Sequence, residues 1–157
     1  MKITLIGPGR IREKWLSEGI AEYVKRLSRY TAVEIIEVAD LPDTLPVDRL
    51  LAQEGEAILK ALSRIRSQST IIALDLSARP IDSVQLAQKM GEWLERGGSE
   101  VVFLIGGSNG LHPSVLAQTH DRLSLSAMTF THQLTRLILL EQCYRAFRIR
   151  SNEPYHK

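Results

Sequence analysis

Only one cysteine, Cys143, stands in the 157 residues, so no internal disulfide can form and a packed core must carry the stability. No Gly-Lys-Ser/Thr triplet occurs, which excludes the ordinary phosphate-binding loop of ATPases and GTPases. The histidines, His112, His120, His132 and His156, fall at spacings that match no zinc motif, and no metal site is expected. Apolar runs stay far short of the roughly 18 residues a membrane span needs. The opening Met1 to Ile6 is too short for a signal sequence and soon meets Arg10, Arg12 and Lys14. Cytoplasm is therefore the expected location, with no membrane partner. Charge of one sign is also missing: 20 Lys and Arg against 18 Asp and Glu leave +2, compatible with a nucleic-acid partner without demanding one. Internal repeats, low-complexity stretches and linkers are absent, so residues 1–157 read as one domain.

What is present alternates between two periodicities. Short apolar runs at Lys2 to Ile6, Val33 to Val38, Thr70 to Leu74, Val101 to Ile105 and Leu123 to Leu125 predict strands. Between them, Trp15 or Leu16 with Ile20, Tyr23, Val24 and Leu27, then Ile58, Ala61, Leu62 and Ile65, then Leu86, Met90, Trp93 and Leu94 recur at helical spacing. The stretch from Ala39 to Val47, with Pro42 and Pro46, predicts a loop; Gly97-Gly98 ends the third helix, and Pro113 starts a short one. A last helix spans His132 to about Arg148, before a tail from Ser151 to Lys157. Alternating strands and helices predict an α/β fold: a mainly parallel sheet with helices on both faces.

Two stretches could meet a ligand. Val101 to Ile105 reads as a strand covered on both faces, and it runs into Gly106, Gly107 and, three positions on, Gly110. Such glycines allow close backbone approach at a strand's carboxyl end, although a turn needing positive φ explains them equally well. A dinucleotide fingerprint would require glycine where Ile105 stands, and no acidic residue follows at the ribose-binding distance. The second stretch, Leu123-Ser124-Leu125-Ser126-Ala127-Met128-Thr129-Phe130, is either a small-residue ligand loop or the cap of the next helix. In that last helix Leu134, Leu137, Ile138, Leu140, Tyr144 and Phe147 spread apolar character over more than one face. A second subunit could supply the extra covering, or the helix lies centrally within a monomer. Cys143 reads as core packing and Glu141 as the i,i+4 partner of Arg145.

Taken in order, several segments resemble one family: Met-Lys-Ile-Thr-Leu-Ile at the start, Tyr23 with Lys25-Arg26-Leu27, and Ile35-Ile36-Glu37-Val38. Ile105 to Leu111, Leu125 to Phe130, Glu141 to Ala146 and the terminal Tyr155-His156-Lys157 complete the set. The chain resembles the bacterial 23S ribosomal RNA pseudouridine N3-methyltransferase family of the SPOUT superfamily, over its whole length. The resemblance implies a C-terminal trefoil knot, a homodimer, and S-adenosylmethionine as methyl donor bound at Leu74, Gly106, Leu125, Ser126, Ala127, Met128, Thr129 and Phe130. Two positions depart from the family pattern: the first loop is Gly7-Pro8-Gly9-Arg10, and Thr131 stands where proline is common.

Methyl transfer to a ring nitrogen needs an in-line methyl group and stabilisation of the charge that leaves with the proton. Arg136 is the candidate for that electrostatic role, His156 for base or base positioning, and Tyr155 for stacking on the target base. Arg145, Arg148 and Lys157 are expected on RNA phosphates, joined by Arg10 or Lys14 of a second subunit. The expected substrate is 23S ribosomal RNA within the ribosome. The competing expectation is a non-catalytic ribosome-binding or assembly protein with the same fold.

Overall fold

The strand buried at every position lies at the centre of the sheet. In the computed structural model, which describes residues 1–155, β1 (Lys2–Pro8) and β4 (Glu100–Leu104) are neighbours, and every residue of β4 is buried. Around them stand β2 (Ala32–Val38), β3 (Thr70–Leu74) and β5 (Asp121–Leu123), in the order β2-β1-β4-β3-β5, each pairing parallel. The helices are α1 (Lys14–Leu27), α2 (Val47–Leu62), α3 (Ser83–Arg96), α4 (Pro113–Leu116) and α5 (His132–Arg150).

Alternation along the strands sends side chains to two cores. Ile3, Leu5, Ile72, Val101 and Phe103 meet Leu16 and Ile20 of α1, Met90 and Trp93 of α3, and Leu139 and Cys143 of α5. Ile6, Val102 and Leu104 point to the other face, against Ile58 of α2 and Val115 of α4. The parallel sheet with helices on both faces agrees with the sequence reading.

Three elements differ from expectation in informative ways. The fifth strand lies two residues earlier, because Ile72, Ala73 and Leu74 pair with Asp121, Arg122 and Leu123. An edge strand leaves one side open, so Asp121 and Arg122 pair there although no apolar run marks them. Asp121 is held by Lys89 Nζ at 2.8 Å and Trp93 Nε1 at 3.1 Å, which fixes the register from α3. The second helix begins at Val47, about three turns before the apolar stripe recognised from Ile58.

The third difference concerns α5. Of its 19 residues only Arg150 is exposed, and α1 and α3 flank it while β1 lies beneath. Leu139, Leu140, Cys143 and Phe147 are buried within the chain, while Leu134, Leu137, Ile138 and Tyr144 stay partly exposed. Thr131 caps it, accepting from the Leu134 amide at 3.3 Å, so the departure from proline is a working N-cap. No helix among the described residues is long and apolar enough to cross a membrane.

Candidate active site

Strands of a parallel sheet end on one side, and here the carboxyl ends of β3, β4 and β5 open into a cavity of about 1130 Å³. Its walls are the loop after β4 from Gly107 to Leu111, the loop after β5 from Ser124 to Thr131, and the first turns of α1 and α5. Ile105, Leu74, Leu123 and Leu125 give it an apolar floor, while Glu13, Asp75 and His132 bring polar groups. Placement at strand carboxyl ends is where open α/β sheets bind ligands.

The loop after β4 is a tight turn. The Gly110 amide donates to Gly107 O at 3.1 Å, and Gly110 sits at φ +79, a conformation that favours glycine. A Cβ on Gly106 would lie 2.5 Å from the Gly110 backbone, so the turn folds back onto the space a side chain would take. From behind, the Gly107 amide donates to Glu54 Oε1 of α2 at 3.1 Å. Burial pushes the Glu54 carboxyl above its ordinary range, although the Gly107 amide and nearby His132 pull it back. Asp75, at the end of β3, accepts from both the amide and hydroxyl of Ser77 and from Arg122 Nη1 at 3.0 Å. Desolvation opposes its ionisation, but those partners outweigh it and hold the carboxyl below the usual range.

Most of the expected donor-binding residues converge here. Leu74, Leu125, Ser126, Met128, Thr129 and Phe130 line the cavity. Gly106 and Ala127 do not; Gly106 acts from behind the wall, by leaving room for Gly110. The Ser124 hydroxyl donates to Ser126 O at 3.0 Å and the Met128 amide to Ser126 Oγ, so the second loop is shaped by its own small polar residues.

Arg136 lies elsewhere. It is 1% exposed, and its guanidinium donates to the carbonyls of Pro8 and Gly9 and to Glu37 Oε1 at 3.3 Å. Its donors are committed to Glu37 and to the loop after β1, where Gly9 sits at φ +80, so the arginine holds that loop. Tyr155 is tied down against Tyr23 and Tyr144. Its hydroxyl contacts Tyr23 Oη at 3.3 Å and donates to Glu141 Oε1 at 3.1 Å. Arg145 stacks on the ring at 4.7 Å and Tyr144 meets it edge-on at 4.9 Å. Desolvation, then Tyr23 and Glu141, raise the phenol well above its ordinary value, so it stays neutral. His156 and Lys157 lie outside the described residues.

The expected RNA contacts divide into two kinds. Arg10 and Lys14 extend into solvent, each with 89% of its side chain exposed. Arg145 is paired with Glu141 at 2.6 Å, as its spacing predicts, and Arg148 with Glu153 at 2.5 Å and Pro154 O. Cys143 is fully buried, which raises its thiol and fits a core residue. The sequence reading passed over Glu54, Asp75 and Glu13, and weighed His132 only as a metal ligand. Glu54 alone carried a signal: it interrupts the i,i+4 stripe of Leu50 and Ile58.

Known proteins share this architecture. A family model described as "Predicted SPOUT methyltransferase" matches residues 1–156. Among solved structures, a probable methyltransferase from Bordetella pertussis Tohama I superposes with a TM-score of 0.57 at 14% identity, over 92% of this chain and 93% of that one. A TrmH/SpoU tRNA modifying enzyme from A. aeolicus gives 0.53 at 9% identity, over 99% and 81%. TrmJ from Z. mobilis ZM4 gives 0.51 at 15%, over 99% and 71%. At such identities these likenesses speak for the fold, and the family model, covering nearly every residue, speaks for kinship: the chain belongs to the SPOUT methyltransferase family.

Proposed function

We propose that this protein is a 23S ribosomal RNA methyltransferase that moves a methyl group from S-adenosylmethionine to N3 of a pseudouridine, acting as a homodimer on the ribosome. The observation that carries the reading is the cavity at the ends of β3, β4 and β5, lined by Leu74 and the loop from Leu125 to Phe130 in a chain whose family is methyltransferase. Its chemistry suits the donor. Leucines and Phe130 match the flat apolar faces of an adenine, free backbone groups of the two loops match its edge, and Asp75 and Glu13 offer carboxylates to cationic groups.

The bound donor supplies an electrophilic methyl on a sulfonium. The chain's own residues exclude water through the apolar floor and hold the reactants in line. Pseudouridine N3 becomes nucleophilic as its proton leaves, and the charge spreads onto the flanking carbonyl oxygens. His156 is the proposed acceptor of that proton. Tyr155, neutral and hydrogen-bonded, serves as anchor of the tail carrying His156. Arg136 serves by fixing the loop after β1, next to Arg10.

The proposed dimer has a second support besides the partly exposed apolar residues of α5. Trp15, Leu76 and Met128 are 61%, 62% and 72% exposed, and all three rim the cavity. Large apolar side chains gathered at a site's mouth suit a partner surface, which would also carry Arg10 and Lys14 towards a shared RNA. Incubation with labelled S-adenosylmethionine and free RNA, 50S subunits or 70S ribosomes tests the reading. Label at pseudouridine N3 is expected; binding of ribosomes without any methyl transfer would overturn it.

A further inference from the structure

Glu54 is a carboxylate where the pattern of α2 calls for an apolar side chain. Leu50, Glu54 and Ile58 follow one another at i,i+4 on the stripe that faces the sheet, and Glu54 is only 5% exposed. Burying a carboxyl is costly, so a residue of this kind is retained for what it holds. What it holds is the Gly107 amide, at 3.1 Å, and no other hydrogen bond to it occurs among the described residues. Gly107 begins the turn that closes on Gly110, and Gly107, Ser108, Asn109 and Gly110 all line the cavity. The next residue of α2 braces the far end of the same loop: a Cβ on Gly55 would sit 3.0 Å from His112 Cβ.

We infer that Glu54 is a positioning residue of the donor site, its carboxylate oxygen pinning Gly107 from behind so that the turn from Gly107 to Gly110 stands as a rigid wall of the cavity. The inference rests on the reading of that cavity as the S-adenosylmethionine site. The carboxylate itself touches no ligand; it acts through the backbone of Gly107, whose other face borders the cavity. An acceptor oxygen is what the arrangement requires, so glutamine can replace glutamate, whereas alanine leaves the amide without a partner.

The test compares wild type, E54Q and E54A by calorimetry with S-adenosylmethionine and by hydrogen exchange of residues 105–111 in the ligand-free protein. E54A is expected to bind roughly tenfold or more weakly, the scale of one lost hydrogen bond to a charged group, and to exchange faster at 105–111 but not in β1 or α3. E54Q is expected to stay within about threefold in affinity and to keep the protection. If E54A does not fold, E54D, whose shorter arm draws the oxygen away from the amide, takes its place. Wild-type affinity and unchanged exchange in E54A, or a loss in E54Q as large as in E54A, would overturn the inference. Wild type that fails to bind the donor would instead strike the proposed function, while exchange at 105–111 still decides the role of Glu54.

Discussion

The largest fully buried side chain among the described residues is Arg136. A guanidinium that is almost fully buried survives because Pro8 O, Gly9 O and Glu37 satisfy it, although burial still draws its basicity down. Arg136→Met keeps the bulk but strands those acceptors. It should lower stability by about 3 kcal/mol, read as an earlier midpoint in urea. Arg136→Lys should recover only part of this, since an ammonium cannot fork between two carbonyls and a carboxylate. Asp75 and Asp121 are partly buried carboxylates that should make stability depend on acid pH. Both are held below the ordinary carboxylate range despite desolvation, Asp75 by Ser77 and Arg122, Asp121 by Lys89, the Arg122 amide and Trp93. A depressed folded value means stability that is present above the unfolded value and is lost as pH falls through the folded one. Thermal stability should therefore drop as pH falls below about 4, and D121N should flatten that decline. An acid limb as steep in D121N as in wild type would contradict the assignment.

At the scale of elements, capping and anchoring decide where α5 starts and how the chain ends. Thr131→Ala removes the side-chain acceptor for the Leu134 amide and should cost about 1 kcal/mol of stability. Asp82, in a full capping box with Gln85 at the start of α3, should show a similar loss as Asp82→Ala. The tail is held by Tyr30 to Glu153 at 2.7 Å, Arg148 to Glu153, and Tyr155 to Glu141. Chain ends without such ties are usually ragged. Deleting residues 155–157 should leave folding and donor binding intact while removing most methyl transfer to ribosomes. Full activity of the truncated protein would place the chemistry elsewhere.

For the molecule as a whole, the open question is association. The apolar rim of Trp15, Leu76 and Met128 predicts a dimer in sedimentation at micromolar concentration. Trp15→Glu or Met128→Glu, which set a charge in that rim, should shift the equilibrium towards monomer. Arg10 and Lys14 are exposed, so converting each to alanine should lower the salt slope of RNA binding by about one per residue. Arg145→Ala should act differently, because Arg145 supports Glu141 and Tyr155 and its loss would loosen the tail. An Arg145 variant with a flattened salt slope and an unchanged tail would reverse that distinction.

The sequence by itself determined the layers. Short apolar runs in Lys2 to Ile6 and Val101 to Ile105, bounded by glycine, read as buried strands, and the stripes of α1 and α3 as helix faces turned to a sheet. It also determined the two loops that border the cavity, because glycines and small polar residues at strand ends are a local property of the chain. Tertiary structure alone decided the rest. Asp121 and Arg122 become strand because β3 offers an edge and α3 offers partners, not because of their own preference. Arg136 turns inward because the carbonyls of Pro8 and Gly9, some 130 residues away in the chain, end up beside it. Leu139, Cys143 and Phe147 of α5 are buried because α1 and α3 lie on the same face of the sheet. Glu54 joins the cavity wall only because α2 lies behind the loop after β4, and pairings across such distances leave no periodicity to read.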